Sequence, residues 1–269
     1  MNKKFQQSGI FETYLSVDEE MVPYFGRHSA KMFLRGKPVR FGFKLWCLCS
    51  SSGYMFKYTP YCGKSDFVDA SFGLGASVVL ELLRIVDNPN NHAVYCDNFF
   101  TSHSLLCELR AAGFCATGTV RQPRLNNCPL IDSKELVKKG RGSHDWQFDS
   151  DEEILAVKWN DNATVCVASN FEEIDPQQEV KRYSRAEKKS VRVQQPLLIN
   201  SYNKRMGGVD LHDSFVAKYR IRVKGKKWWW PLFLNAIDAT LVNAWRLYRM
   251  ARGGRMDLLQ FRRKIAVTY

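Results

Sequence analysis

The chain has 269 residues, 45% of them apolar and 25% charged, the balance of a soluble globular protein able to bury a core in one large domain or two interleaved ones. Its formal charge of +13 sits in one part: residues 177–269 hold 21 Lys/Arg against 6 Asp/Glu, whereas residues 1–176 hold 19 against 21. A folded, aromatic-rich segment of that sign predicts a polyanionic partner, most simply nucleic acid, rather than a membrane. No secretory signal opens the chain, and the longest apolar stretch, residues 231–248, contains Asn235, Asp238, Asn243 and Arg246, so no membrane span is expected. All eight cysteines lie between Cys47 and Cys166 without the paired spacing of a zinc site. They are expected to be reduced, mostly buried thiols, and no zinc is expected.

In chain order, LSVDEEMVP (residues 15–23) precedes a loop rich in Gly, Arg and Lys. FGFKLWCLC (41–49) alternates and is aromatic, which predicts a strand; the turn at residues 50–53 then predicts a hairpin partner over 54–61. Residues 76–86 have helical spacing, and DNPNN (87–91) breaks the chain. HAVYCDNFF (92–100) reads as a buried strand ending in an acid, Asp97, followed by a helix over 102–112 and a short strand over 116–120. A polar, basic connection carries Arg121 and Arg124 and runs to Arg141. Strands are predicted at 154–159 and 164–168, with Asp149 just before the first. Residues 171–200, charged and of low hydrophobicity, read as a linker-like insertion.

The stretch YNKRMGGVDLHD (202–213) is the one around which the remainder of the chain is organised. Two glycines predict a sharp turn, and a helix starts behind them with Asp210 and Asp213 on one face. Two carboxylates on a first helical turn suit a hard divalent cation, and they equally suit the helix dipole; the residues alone leave both readings open. His212 between them is expected to point away from that face. Next come six cations and no acid in residues 218–227: Lys218, Arg220, Arg222, Lys224, Lys226 and Lys227. Such a run can track a phosphate backbone, the alternatives being a solvated loop or a nuclear-import signal. Trp228–Trp230 can stack on unpaired bases or anchor the next helix, and packing is the commoner use. Pro231 suits the first residue of a long helix ending near Arg249, Arg252 and Gly253-Gly254.

The segments LSVDEEMVPYFGRHS (15–29), KPVRFGFKLWCLCSSSGY (37–54), VYCDNFFTS (94–102), ATGTVRQPR (116–124), VKWNDNATVCVASN (157–170) and YNKRMGGVDLHD (202–213) stand in the order they take in one family. In them the chain resembles the piggyBac superfamily of transposases and their domesticated relatives in animal genomes. The resemblance implies a mixed α/β (α+β) fold: an RNase H-like catalytic core with flanking dimerisation and DNA-binding elements. It divides the chain into an N-terminal flanking region (1–90), the first part of the core (91–170), a charged insertion (171–201), the third-acid helix (202–217) and a basic, aromatic helical region for DNA binding or dimerisation (218–269).

Carried over by motif, the catalytic, metal-binding acids would be Asp97 in CDNFFTS, Asp149 and Asp210 in GGVD, with Asp213 as a further ligand. Asp149 is chosen because Lys158 follows it by nine residues, with Asp151 as the alternative. The ion would be Mg²⁺ or Mn²⁺. The DNA contacts would be Arg121, Arg124, Lys218, Arg220, Arg222, Lys224, Lys226 and Lys227. The partners implied are double-stranded DNA, as transposon ends and TTAA target sites, and a second copy of the chain; the compartment is the nucleus. The chain starts inside the family's domain, has a short insertion between the second and third acids, and carries no Cys after Cys166 for the family's C-terminal zinc module. Recognition of transposon ends is therefore expected to be impaired. Two readings result: an active transposase core, or a catalytically silent, domesticated DNA-binding or chromatin protein.

Overall fold

The computed structural model describes residues 1–35, 37–63, 68–185, 187–252 and 254–268. In chain order the elements are α1 (Asn2–Ser8), β1 (Tyr14–Pro23), β2 (Met32–Phe33), β3 (Phe41–Ser50), β4 (Met55–Pro60), α2 (Gly73–Leu83), β5 (Ala93–Cys96), α3 (His103–Ala111), β6 (Cys115–Thr119) and α4 (Ser133–Lys138). They continue with β7 (His144–Asp149), β8 (Ile154–Asn160), β9 (Thr164–Ser169), β10 (Gln178–Ser184), β11 (Lys189–Gln195), α5 (Leu197–Arg205), α6 (Gly208–Lys218), α7 (Trp230–Arg252) and α8 (Leu258–Thr268). The chain forms two compact units: residues 1–68, 81–86 and 207–269, and residues 69–80 and 87–206.

In the first unit β3 is antiparallel to β1, β2 and β4. The expected hairpin of β3 and β4 is present. The acidic run of residues 18–20, given no element by its composition, lies in the middle of β1, with Glu20 opposite Leu45. Strand alternation sends Glu20 into the core, where it is fully buried; Asn235 Nδ2 of α7 donates to its Oε1 (2.9 Å), and burial pushes its carboxyl above the usual range. Phe5, Val22, Phe43, Leu45, Met55 and Val209 form the core around it. Asn243 of α7 pins the start of β4 from both sides: its Oδ1 accepts from Met55 N (2.9 Å) and its Nδ2 donates to Met55 O (2.8 Å). Buried Asp238, also on α7, accepts from the backbone of Ile221 (2.9 Å) and from Arg262 of α8 (2.6 Å). Gly253, part of the expected end of α7, lies outside the described residues.

In the second unit β5 and β6 are parallel, and β9, β8 and β7 follow antiparallel, in the order β5-β6-β9-β8-β7. Helix α3 joins β5 to β6, the crossover that parallel neighbours require. Two expectations need correction. Residues 171–200 are not a linker: β10 and β11 form an antiparallel hairpin in which Val180 stands opposite Val193, and residues 197–205 form α5. Apolar residues of the hairpin pack with Leu155, Val157, Trp159, Leu198 and Ile199. The basic connection after residue 120 contains α4, and β7 follows it as a strand the sequence did not announce.

No described helix is long and apolar enough to cross a membrane. The eight cysteines are free thiols; Cys47, Cys49, Cys96 and Cys166 are buried.

Candidate active site

Asp97 is the first residue after β5, a strand buried along its whole length. The signature DNFFTS is a local folding device. Asp97 Oδ1 accepts from the amide of Phe99 (2.8 Å), and its carbonyl accepts from the amides of Phe100 and Thr101 and from Thr101 Oγ1 (2.8 Å). Ser102 then caps α3, its Oγ accepting from Leu105 N (3.2 Å). Buried Thr101 needs Gly118 opposite: a Cβ there would stand 2.1 Å from its Oγ1. Arg124 donates to the carbonyls of Asn98 (3.1 Å) and Phe99 (2.7 Å), so it clasps the turn that carries Asp97.

Asp149, expected just before the strand that starts at residue 154, is the last residue of β7, the strand preceding β8. Its Oδ1 accepts from the amides of Asp151 (3.1 Å) and Glu152 (3.3 Å), and its Oδ2 is 2.9 Å from Nε2 of His103 on the first turn of α3. The imidazole, with these amides, holds the carboxyl below the usual range. The side chain of Asp151, the alternative, is exposed in the turn. Lys158, expected to accompany Asp149, is buried opposite Asp145, and its Nζ donates to Gln122 Oε1 (2.8 Å) and Ile131 O (2.6 Å). It fastens the 121–131 connection to the sheet.

In the other unit, Asp210 is exposed on the first turn of α6, and Asp213 lies half-buried one turn on. The two glycines in front of them differ, and Gly207 lies in the expected turn, between α5 and α6. Gly207 has an ordinary φ of −77°, and α6 starts at the residue after it. Gly208 is required by closeness, since a Cβ on it would stand 2.2 Å from Ser50 O. Burial, then the Glu20 carboxyl, raises Asp213 to about 6, against the pull of Arg220, whose guanidinium is 3.3 Å away. Lys37 is held above its usual range: burial opposes this, and the carboxylates of Asp18, Glu19 and Asp210 outweigh it. As expected, His212 turns away from that face: it is buried, with Nδ1 3.1 Å from Gly53 O, and burial lowers it to about 4.

The cations of the basic run fall into two kinds. Lys218, Arg222, Lys224, Lys226 and Lys227 are exposed, as is Arg121, whereas Arg220 is engaged with Asp213 and Arg124 with the Asp97 turn. Trp230 Nε1 donates to Val223 O (2.9 Å), and Trp228 stacks on His28 (4.3 Å between centroids). The tryptophans thus pack the run onto its own unit, though Trp228 and Trp229 keep nearly half their surface in solvent. Between the run and β1 lies a pocket of about 480 Å³ bordered by Tyr24, Phe25, Arg220, Lys224, Lys226 and Trp230.

Sequence reasoning missed His103 and Lys37. His103 directly follows DNFFTS, and Lys37 opens the KPVRFG segment, but neither has a spacing that announces its carboxylate partner. The candidate donor set, carboxylate oxygens of Asp97, Asp149, Asp210 and Asp213, has the chemistry a hard divalent cation takes. Among the described residues, no three His, Cys, Asp or Glu side chains are grouped closely enough to hold a metal ion.

Comparison with known proteins defines the class: a mixed α+β fold, that of a DNA transposase with an RNase H-like core. The structure of piggyBac transposase in a synaptic complex with hairpin DNA matches with a TM-score of 0.74 at 24% identity, over 94% of this chain and 51% of that one. The family model described as Transposase IS4 matches residues 1–245. The chain belongs to this transposase family, in its piggyBac-type branch. It is 43% identical over 261 residues to human piggyBac transposable element-derived protein 3, and 40% identical over 273 residues to human piggyBac transposable element-derived protein 2. It spans 44% and 46% of those two proteins, under half of each.

Proposed function

We propose that the chain is the catalytic core of a piggyBac-type DNA transposase, cutting one strand at a transposon end and transferring it to TTAA-type target DNA in the nucleus. The observation that carries this reading is the Asp97 turn. A fully buried strand delivers a carboxylate whose orientation is set by the Phe99 amide and by Arg124, in a chain with the transposase fold.

Asp97, Asp149 and Asp210, with Asp213 as a further ligand, would ligate Mg²⁺ or Mn²⁺. A bound divalent ion supplies an activated nucleophile and offsets charge on the leaving oxygen. Carboxylates brought together repel one another, and a dication between them offsets that repulsion. The protein's own part is orientation: His103 and two amides fix Asp149, and the α6 helix holds Asp210 and Asp213 one turn apart. Arg121, Lys218, Arg222, Lys224, Lys226 and Lys227 would track DNA phosphates, with Arg220 acting through Asp213 and Arg124 through the turn that carries Asp97. A second copy of the chain is part of the proposal, because two transposon ends must be transferred to the same target site.

The test is nicking of transposon-end DNA in the presence of Mg²⁺ or Mn²⁺, with Asp97→Ala as control. Metal-dependent nicking that disappears in the variant is expected; nicking that survives it overturns the assignment. A second reading, a catalytically silent DNA-binding protein, is favoured by the likeness to two human transposable element-derived proteins. Salt-dependent DNA binding with no cleavage under either metal would select it.

A further inference from the structure

The second unit carries an apolar groove that the transposase reading does not use. Trp146 and Phe148 lie two residues apart on β7, so they share one face of the strand, the face opposite Asp149. In register they stand across from Val157 and Leu155, both core residues. The core therefore runs on, uncovered, to the last strand of this unit's sheet: Trp146 is 52% and Phe148 53% exposed. With Phe171 and Ile174 they border a groove of about 560 Å³. An exposed apolar patch rimmed by polar groups marks an interaction site more often than inert surface.

The rim says what fits. The ionisable residues bordering the groove are all acids: Glu153, Glu172, Glu173 and Asp175. Two are already matched, Glu153 by Arg110 and Glu172 by Arg205 (3.1 Å). Glu173 and Asp175 are exposed at one end. The positive excess of the chain lies in residues 177–269, whereas the groove is lined from residues 146–175, in the part of the sequence with no positive excess, so these acids set its local sign. We propose that the groove docks an extended segment of another protein that is net basic and carries two large apolar side chains. The apolar side chains enter beside Trp146 and Phe148, and the cations lie against Glu173 and Asp175. Apolar burial supplies affinity, and the acids select the sign of the partner.

The full chain is titrated into a fluorescein-labelled peptide of alternating Lys and Leu with a central Trp, and into its Glu-for-Lys counterpart, and polarisation is read. The basic peptide is expected to bind and the acidic one to bind at least about tenfold more weakly. Trp146→Ser and Phe148→Ser are each expected to weaken the basic peptide about tenfold or more, the scale of one buried aromatic side chain. Glu173→Gln with Asp175→Gln is expected to weaken it and to flatten its salt dependence. Where circular dichroism finds a strand variant misfolded, Phe171→Ser tests the opposite wall. Equal binding of the two peptides, or affinity untouched by the aromatic variants, overturns the proposal. So does self-association in sedimentation that Phe148→Ser abolishes, because the groove's occupant is then a second copy of this chain.

Discussion

His212 offers a test of how the candidate acids are seated, because it lies between them in sequence and is wholly buried. Its imidazole is lowered from 6.5 to about 4, chiefly by burial. The folded state therefore takes up a proton less readily than the unfolded chain. The resulting stability is whole above pH 6.5 and is lost as pH falls toward 4. Integrated between those values, the loss is about 2 kcal/mol at pH 5 relative to pH 7, and about 3 kcal/mol once both states are protonated. Asp213 works the other way: raised to about 6, it contributes stability that is full below 3.8 and lost as pH rises through 6. The wild-type pH curve thus sums opposing slopes, and a variant is needed to separate them. His212→Asn keeps an amide donor near Gly53 O and removes the titration. It costs about 1–3 kcal/mol for the lost ring, at every pH alike. Urea unfolding followed by tryptophan fluorescence at pH 7 and pH 5 gives the double difference. The variant should lose about 2 kcal/mol less than wild type on acidification. Parallel losses in the two proteins would refute a buried, neutral His212.

Gly208→Ala should destabilise by about 1–3 kcal/mol in thermal or urea melts, because its methyl meets the Ser50 carbonyl and neither helix nor strand can give way cheaply. Asn243→Ala should lower stability by about 2 kcal/mol or more, since buried Met55 N–H and C=O lose their side-chain partner; unaltered unfolding would mean that the ladder alone satisfies them. Charge reversal at Lys226 and Lys227 should weaken DNA binding and reduce the slope of log affinity against log salt by roughly 2, read by filter binding or polarisation. The same reversal at Arg124 should instead disturb the Asp97 turn, detectable as faster amide exchange at Phe99 to Thr101.

Much of the second unit was legible because its strands are continuous apolar runs. ILAVKW and TVCVA read as strands, and residues 102–112 read as a helix. Misreadings came where charge outvoted periodicity. In β1 the acids at residues 18–20 resemble surface, and only Asn235, far along the chain, explains why a carboxylate can be buried there. In β10 and β11 composition suggested a linker, while the period-two placement of Val180, Val191 and Val193 was already that of a half-buried hairpin. The acid motifs were visible as motifs, but their physical support was not. Nothing local in YNKRMGGVD shows that the second glycine is there for the Ser50 carbonyl, and no spacing links His103 to Asp149.

Asp238 sets a limit on how this protein can be shortened. The match to the family model stops at residue 245, yet the cation facing this carboxylate is Arg262, seventeen positions further on. A version trimmed to the family boundary would lose this counter-ion and leave the Asp238 carboxylate unpaired on its side facing α8. That loss would also reach Ile221, whose amide depends on the same carboxylate where the cationic stretch leaves the fold. Trimming the terminal helix should therefore disorder the start of an exposed cationic run that is remote from it in sequence.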